Sequence, residues 1–221
     1  MQRVLDWILV DPPDLVVHTG DIVLADPDDD ADRAFARLVF DGLPCPVVAI
    51  PGNHDIGFYD EPAARERRVA AFVATWGADR FALDIAGWRL VGANAYRLGE
   101  AAHDEWFGDV VQTAGPVAVF IHQPVGGDPA DGWEMPRSAR ASFDRVTAGT
   151  PIQLVASGHR HRAYASGRAV WAPSVTLIGE AVPNGGDPMP GAVEFTFSHD
   201  GSFTRTFVRS DDLGRNQRVP A

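Results

Sequence analysis

The stretch VVAIPGNHDIG, residues 47–57, decides the fold. An apolar run enters Pro51 and Gly52, and an amide, an imidazole and a carboxylate follow at once as Asn53, His54 and Asp55. A loop that only had to be soluble has no need of that set. A short, β-branched apolar run closed by Pro and Gly reads as a buried strand. The polar triplet therefore stands at a strand's carboxyl end.

The same arrangement recurs. DLVVHTGD ends in Gly20-Asp21, VAVFIHQP carries His122, and QLVASGHRH ends in Gly158-His159-Arg160-His161. The apolar runs at 15–19, 47–50, 117–121 and 153–157 alternate with helical patterns at 30–40, 62–76, 103–113 and 137–148. Such alternation indicates an α/β fold. Segments 81–85 and 88–94, joined at Ala86-Gly87, read as a hairpin. The last third reads as a sheet meander through 169–171, 175–178, 192–197 and 202–208, with Asp200-Gly201 as a hairpin turn. The Pro- and Gly-rich loop 181–191 is too short for a domain linker, so one domain spans 1–221.

In open α/β sheets, ligands bind beyond the carboxyl ends of the strands. The four strand-end groups are thereby expected to meet at one edge. Taken singly, a Gly-Asp is a turn and a strand-end histidine is a hydrogen-bonded histidine. Together they form a nitrogen and oxygen donor set suited to a first-row transition metal, without the thiolates of structural zinc. A carboxylate such as Asp21 can also bridge two ions.

The composition excludes other classes. With 45% hydrophobic and 22% charged residues the chain is an ordinary globular one. Its net charge of −11, with every basic residue an Arg, argues against nucleic-acid and anionic-membrane partners and leaves a phosphorylated small molecule as the expected one. The single Cys45 allows no internal disulfide. No apolar run is long enough to cross a membrane, and MQRVLDWILVDPPD does not resemble a signal peptide, so the expected location is the cytoplasm. The oligomeric state is not legible. The cluster ADPDDDAD, residues 25–32, reads as a solvated loop leading into a helix start that favours acids.

The ordered set Gly-Asp, Gly-Asn-His-Asp, strand-end His and Gly-His-x-His, from Gly20 to His161, resembles the calcineurin-like metallophosphoesterases. VWAPSVTLIGE, residues 170–180, is similar to a segment of the bacterial cyclic-nucleotide-phosphodiesterase-like members. The resemblance implies a four-layer α/β/β/α sandwich. It implies a metal-dependent hydrolase of phosphomonoesters or phosphodiesters that acts by a metal-activated hydroxide. It makes Asp21 the bridging ligand, with Asn53, His122 and His159 completing one metal site and His161 belonging to the other. His54 then faces the substrate beside Asn53 and stabilises or protonates the leaving oxygen as the catalytic residue. Arg160 is a candidate phosphate contact. The expected ions are Mn or Fe, with Zn a further candidate.

One motif of that family is missing. The Asp-x-His that ends its first strand is not in this chain, which opens in what reads as the following helix. Its absence leaves one metal site complete and the other half built. It also removes a central strand and should leave an apolar gap. Either the motif belongs to sequence upstream of this start, or the chain is a degenerate, catalytically inactive phosphoesterase fold serving as an interaction scaffold. Leu24 stands where many relatives place another Asp, and Asp26 is a conceivable substitute. Elsewhere, His18 reads as a buried, hydrogen-bonded histidine, and His103 and His199 as surface positions. Trp133 anchors a loop or covers a substrate, and Asp55 has no assigned role.

Overall fold

The run VAVFI has no polar face and requires cover on both sides. It forms β5 (Val117–Ile121), buried at every position, inside a six-stranded sheet. The computed structural model describes residues 1–23, 26–58, 62–126, 133–176 and 187–213. The sheet order is β3 (Phe81–Ile85), β4 (Trp88–Ala93), β5, β6 (Ile152–Ser157), β8 (Ala169–Trp171), β7 (Tyr164–Ser166). Its four inner strands are parallel, and β3 and β7 are antiparallel edges.

One face of this sheet is covered by helices. Phe72 of α4 (Pro62–Trp76), Phe107 and Val111 of α5 (Ala101–Val111), and Phe143 of α6 (Arg137–Val146) pack there against Val91, Val119 and Ile121. The opposite face carries Trp88, Leu90, Phe120 and Leu154. Against it lie a parallel pair, β1 (Val16–His18) with β2 (Val47–Ala49), and an antiparallel hairpin, β9 (Gly191–Phe197) with β10 (Phe203–Arg209). Leu15 and Val17 face this inner core, and by strand alternation His18 turns outward to Phe40 of α2 (Asp30–Asp41), with ring centroids 5.4 Å apart. The order helices, sheet, sheet, helix is the expected α/β/β/α sandwich. Among the described residues no backbone ladder joins β1–β2 to β9–β10.

Two registers position the candidate site. His18 pairs with Ala49, so the Gly-Asp and Gly-Asn turns leave neighbouring strands at one level. Ile121 pairs with Ser157, so His122 emerges beside Gly158-His159.

The acidic loop behaves as a helix start: Asp29 caps α2, accepting from the amides of Ala31 and Asp32. Asp26 accepts from the Asp28 amide and so caps its own turn. Of the strand expected at 175–178, residues 175–176 are not in a strand and the remainder lies outside the described residues, as do Leu24, the similarity at 177–180 and most of the loop 181–191. No helix among the described residues is long and apolar enough to cross a membrane.

His103 corrects the expectation of a surface position. It is 2% exposed, packs against Trp106 and Phe107, and has Arg80 Nη1 3.2 Å from its Nδ1. The helix begins at Ala101, two residues earlier than the apolar pattern indicates, and this turns His103 inward. Burial, then the Arg80 charge, lowers its pKa to about 4. A histidine held neutral in this way contributes stability above its unfolded value of about 6.5. As pH falls toward 4, the unfolded chain takes up the proton first and that stability is lost. Urea unfolding of wild type should therefore lose more stability between pH 7 and pH 5 than unfolding of His103→Gln. Equal losses would place His103 in water.

Candidate metal centre

The Gly-Asp and Gly-Asn turns cross so closely that neither admits a side chain at its glycine. A Cβ on Gly52 would lie 2.2 Å from Asp21 Oδ1, and one on Gly20, where φ is +99°, would lie 2.5 Å from the Gly52 nitrogen. Asp55 holds the crossing together. Its Oδ2 accepts from the amides of Asp21 and Gly52, both at 2.8 Å, and its Oδ1 from Ile22 at 2.9 Å and Val23 at 3.0 Å. All four lone-pair positions of a carboxylate are thereby used. Burial and the Asp21 charge push Asp55 up to about 7, and the amides of Gly52, Val23 and Ile22 oppose that rise. A proton on either oxygen would face an N–H, so the hydrogen-bond geometry requires the ionised form.

Four of the expected ligands converge above this crossing. His122 Nε2 lies 3.0 Å from His159 Nδ1, 3.1 Å from Asn53 Oδ1 and 3.4 Å from Asp21 Oδ2. Its other nitrogen, Nδ1, donates to the Thr19 carbonyl at 2.7 Å, which turns Nε2 toward the cluster. Burial, then the nearby His122, lowers His159 to about 3, so the His159 ring is neutral. Asp21 is driven up by burial, but His122 and the His54 amide, which donates to its Oδ1 at 2.9 Å, bring it below the usual carboxylate value.

In the neutral tautomer that Thr19 selects, the His122 Nε2 lone pair faces these neighbouring acceptors, and a cation between them would relieve the repulsion. With bonds of about 2.1 Å, adjacent ligand atoms stand ~3.0 Å apart around an octahedral ion and ~3.4 Å apart around a tetrahedral one. The observed spacings fall on those edges. Asp21, His122 and His159 together offer atoms within 4.8 Å of one another, a separation suited to a single ion. The donor set fits a first-row divalent metal.

The remaining expectations divide. His161 lies outside this trio, but Asp21 and His122 influence its ring, and its buried Nδ1 has no hydrogen-bond partner among the described residues. His54, half-buried, is the residue that follows Asn53, and its amide donates to Asp21 Oδ1 at 2.9 Å. Arg160 corrects the expectation of a phosphate contact. Its side chain is 2% exposed and pairs with Glu134, with Nε 2.9 Å from Oε1. His18 is a hydrogen-bonded histidine, its Nδ1 accepting from the Gly20 amide at 3.3 Å. Trp133 does more than anchor a loop: its ring centroid lies 5.3 Å from His159 and 5.8 Å from His161. The clamp formed by Asp55 escaped the sequence reading, although an acid three residues after Gly52 at a helix start has capping-box spacing.

Among the described residues, three of the four non-glycine residues with positive φ are Asp21, His159 and His161, at +57°, +65° and +56°. Strained backbone of this kind persists only where surrounding contacts impose it, and it gathers at functional sites.

Comparison with known proteins agrees with this picture. A family model described as calcineurin-like phosphoesterase matches residues 1–163. The chain is 28% identical over 175 residues to the serine/threonine-protein phosphatase CPPED1 of Bos taurus, covering 68% of this chain and 54% of that protein. It is 25% identical over 170 residues to a probable cyclic nucleotide phosphodiesterase of Synechococcus sp., covering 72% of this chain and 62% of that protein. The chain thus spans little more than half the length of these curated relatives. Among solved structures, a dimetal phosphatase from Danio rerio superposes with a TM-score of 0.52 at 13% identity, over 76% of this chain and 75% of that one. A putative 5′-nucleotidase from Staphylococcus aureus gives 0.51 at 11% identity, over 95% of this chain and 48% of that one. At these identities the likeness is one of fold.

Replacing Asp55 by Asn would leave the oxygen able to satisfy two amides and turn its NH2 toward the other two. Stranding two buried donors at about 1–3 kcal/mol each should cost about 2–6 kcal/mol, read by urea unfolding in chelator. An unchanged midpoint would mean that Asp55 does not hold the crossing.

Proposed function

The chain belongs to the calcineurin-like phosphoesterase family, and we propose that it hydrolyses phosphomonoesters or phosphodiesters at the centre where Asp21, Asn53, His122 and His159 converge. The observation that carries this reading is the gathering of Asp21, Asn53 and His159 around His122 Nε2, with His122 Nδ1 held by the Thr19 carbonyl.

A divalent transition metal bound there would neutralise phosphoryl oxygens and bring the pKa of water toward neutrality. Manganese and iron suit the nitrogen and oxygen donors, and zinc is the further candidate. His161, with its buried Nδ1, is a further nitrogen donor in the same loop as His159. The protein's own contribution is to bind, orient and move a proton. Asn53 and the histidines fix the acceptor geometry, while Thr19 and Asp55 keep it from relaxing. His54 is tied through its backbone to Asp21, and its side chain can donate a proton to the leaving alkoxide oxygen. The relatives bear the names of a protein phosphatase and a cyclic nucleotide phosphodiesterase, so both ester classes stay open. The expected substrate is a phosphorylated small molecule, and the expected location is cytoplasmic.

The test is turnover of an aryl phosphodiester and an aryl phosphomonoester by the manganese-loaded chain. His54→Ala should lower kcat by about 100-fold or more, the scale of a lost general acid, with the metal content unchanged. No turnover of either ester, or no effect of the substitution, would contradict the reading.

A further inference from the structure

Arg160 and Glu134 stand out as a charged pair with almost no water contact, each side chain 2% exposed. Such pairs contribute little net stability, because desolvation offsets their attraction. Their value lies in what they hold. Arg160 sits between His159 and His161, both in the left-handed region that β-carbons disfavour. Its amide closes a tight turn onto the Gly158 carbonyl at 2.7 Å. Its guanidinium meets Glu134 Oε1, with Nε at 2.9 Å, and lies 4.9 Å from the centre of the Trp171 ring. Glu134 belongs to the segment that leaves His122, tied back where the Met135 amide donates to the Pro124 carbonyl at 3.2 Å. The residue before Glu134 is Trp133, whose ring packs on both histidines.

We propose that the Arg160–Glu134 pair, seated on Trp171, is a positioning device. It locks the segment after His122 to the His159–His161 turn and so imposes the strained backbone that aims both imidazoles inward. The inference rests on the proposed metal centre and goes beyond it, because the pair acts on the backbone that carries His159 and His161 and is not itself part of the converging donor set. Lysine cannot replace arginine fully here: the planar fork both hydrogen-bonds the carboxylate and lies against the indole, whereas an ammonium is a point charge.

The test compares Mn(II) affinity, by electron paramagnetic resonance of the free ion, with unfolding of the metal-free protein. In Arg160→Met/Glu134→Leu the buried charges leave together, so the metal-free midpoint should stay near that of the parent while Mn(II) binding weakens about 10-fold or more. Losses of that size are typical of groups that orient ligands. Arg160→Lys should fold and show a smaller loss. Affinities equal to the parent's in both variants would overturn the proposal while leaving the metal centre intact. If the double variant does not fold, Arg160→Lys alone decides: unchanged affinity overturns the proposal. A parent chain that binds no Mn(II) would overturn the metal centre and the positioning role together.

Discussion

The Asp55 carboxylate is the constraint on which the centre depends. Two turns from different strands must pass within contact distance, each presenting unpaired backbone N–H groups to a space without water. One anion placed between them satisfies four of those donors, those of Asp21, Ile22 and Val23 from the Gly-Asp loop and that of Gly52 from the other turn. Without it, every orphaned amide would favour separating the turns and admitting solvent. The absence of side chains at Gly20 and Gly52 makes the approach sterically feasible, and Asp55 makes it favourable.

From that crossing the geometry propagates upward. Asp21 is held in a left-handed conformation, which turns its carboxylate toward His122 instead of along the strand. His122 is oriented by a backbone carbonyl beneath it, and His159 arrives through the parallel register of β5 and β6. Burial favours a neutral His159, and the His54 amide favours an ionised Asp21. Both effects leave lone pairs available to a cation. The enclosed Arg160–Glu134 pair serves the same end from the opposite side, giving His159 and His161 a fixed frame.

The strand ends were legible because each joins a buried apolar run to a glycine and a side chain of metal-ligating type. Four such junctions in one order specify the chemistry of the centre, but not that two follow β1 and β2 and two follow strands of the separate six-stranded sheet. The helices at 30–41 and 62–76 were legible from their period, and the Asp200-Gly201 hairpin from its turn residues. What could not be read were the partners made by tertiary contact. Nothing local to Asp55 shows that its acceptors will meet the amides of residues more than thirty positions earlier. Nothing around Arg160 shows that it turns away from the phosphate side to meet Glu134. His103 was misplaced because the start of α5 is set by packing and not by its apolar period. In the structure the inner sheet layer consists, among the described residues, of two pairs that share no ladder.

The central claim is that Asp21, Asn53, His122 and His159 hold a metal ion together. Anomalous diffraction at the manganese edge, from crystals grown with Mn(II), tests it most directly. The account predicts a peak bonded to Asp21 Oδ2, Asn53 Oδ1, His122 Nε2 and His159 Nδ1. Those four atoms sharing no peak, with manganese bound elsewhere or not at all, would contradict it.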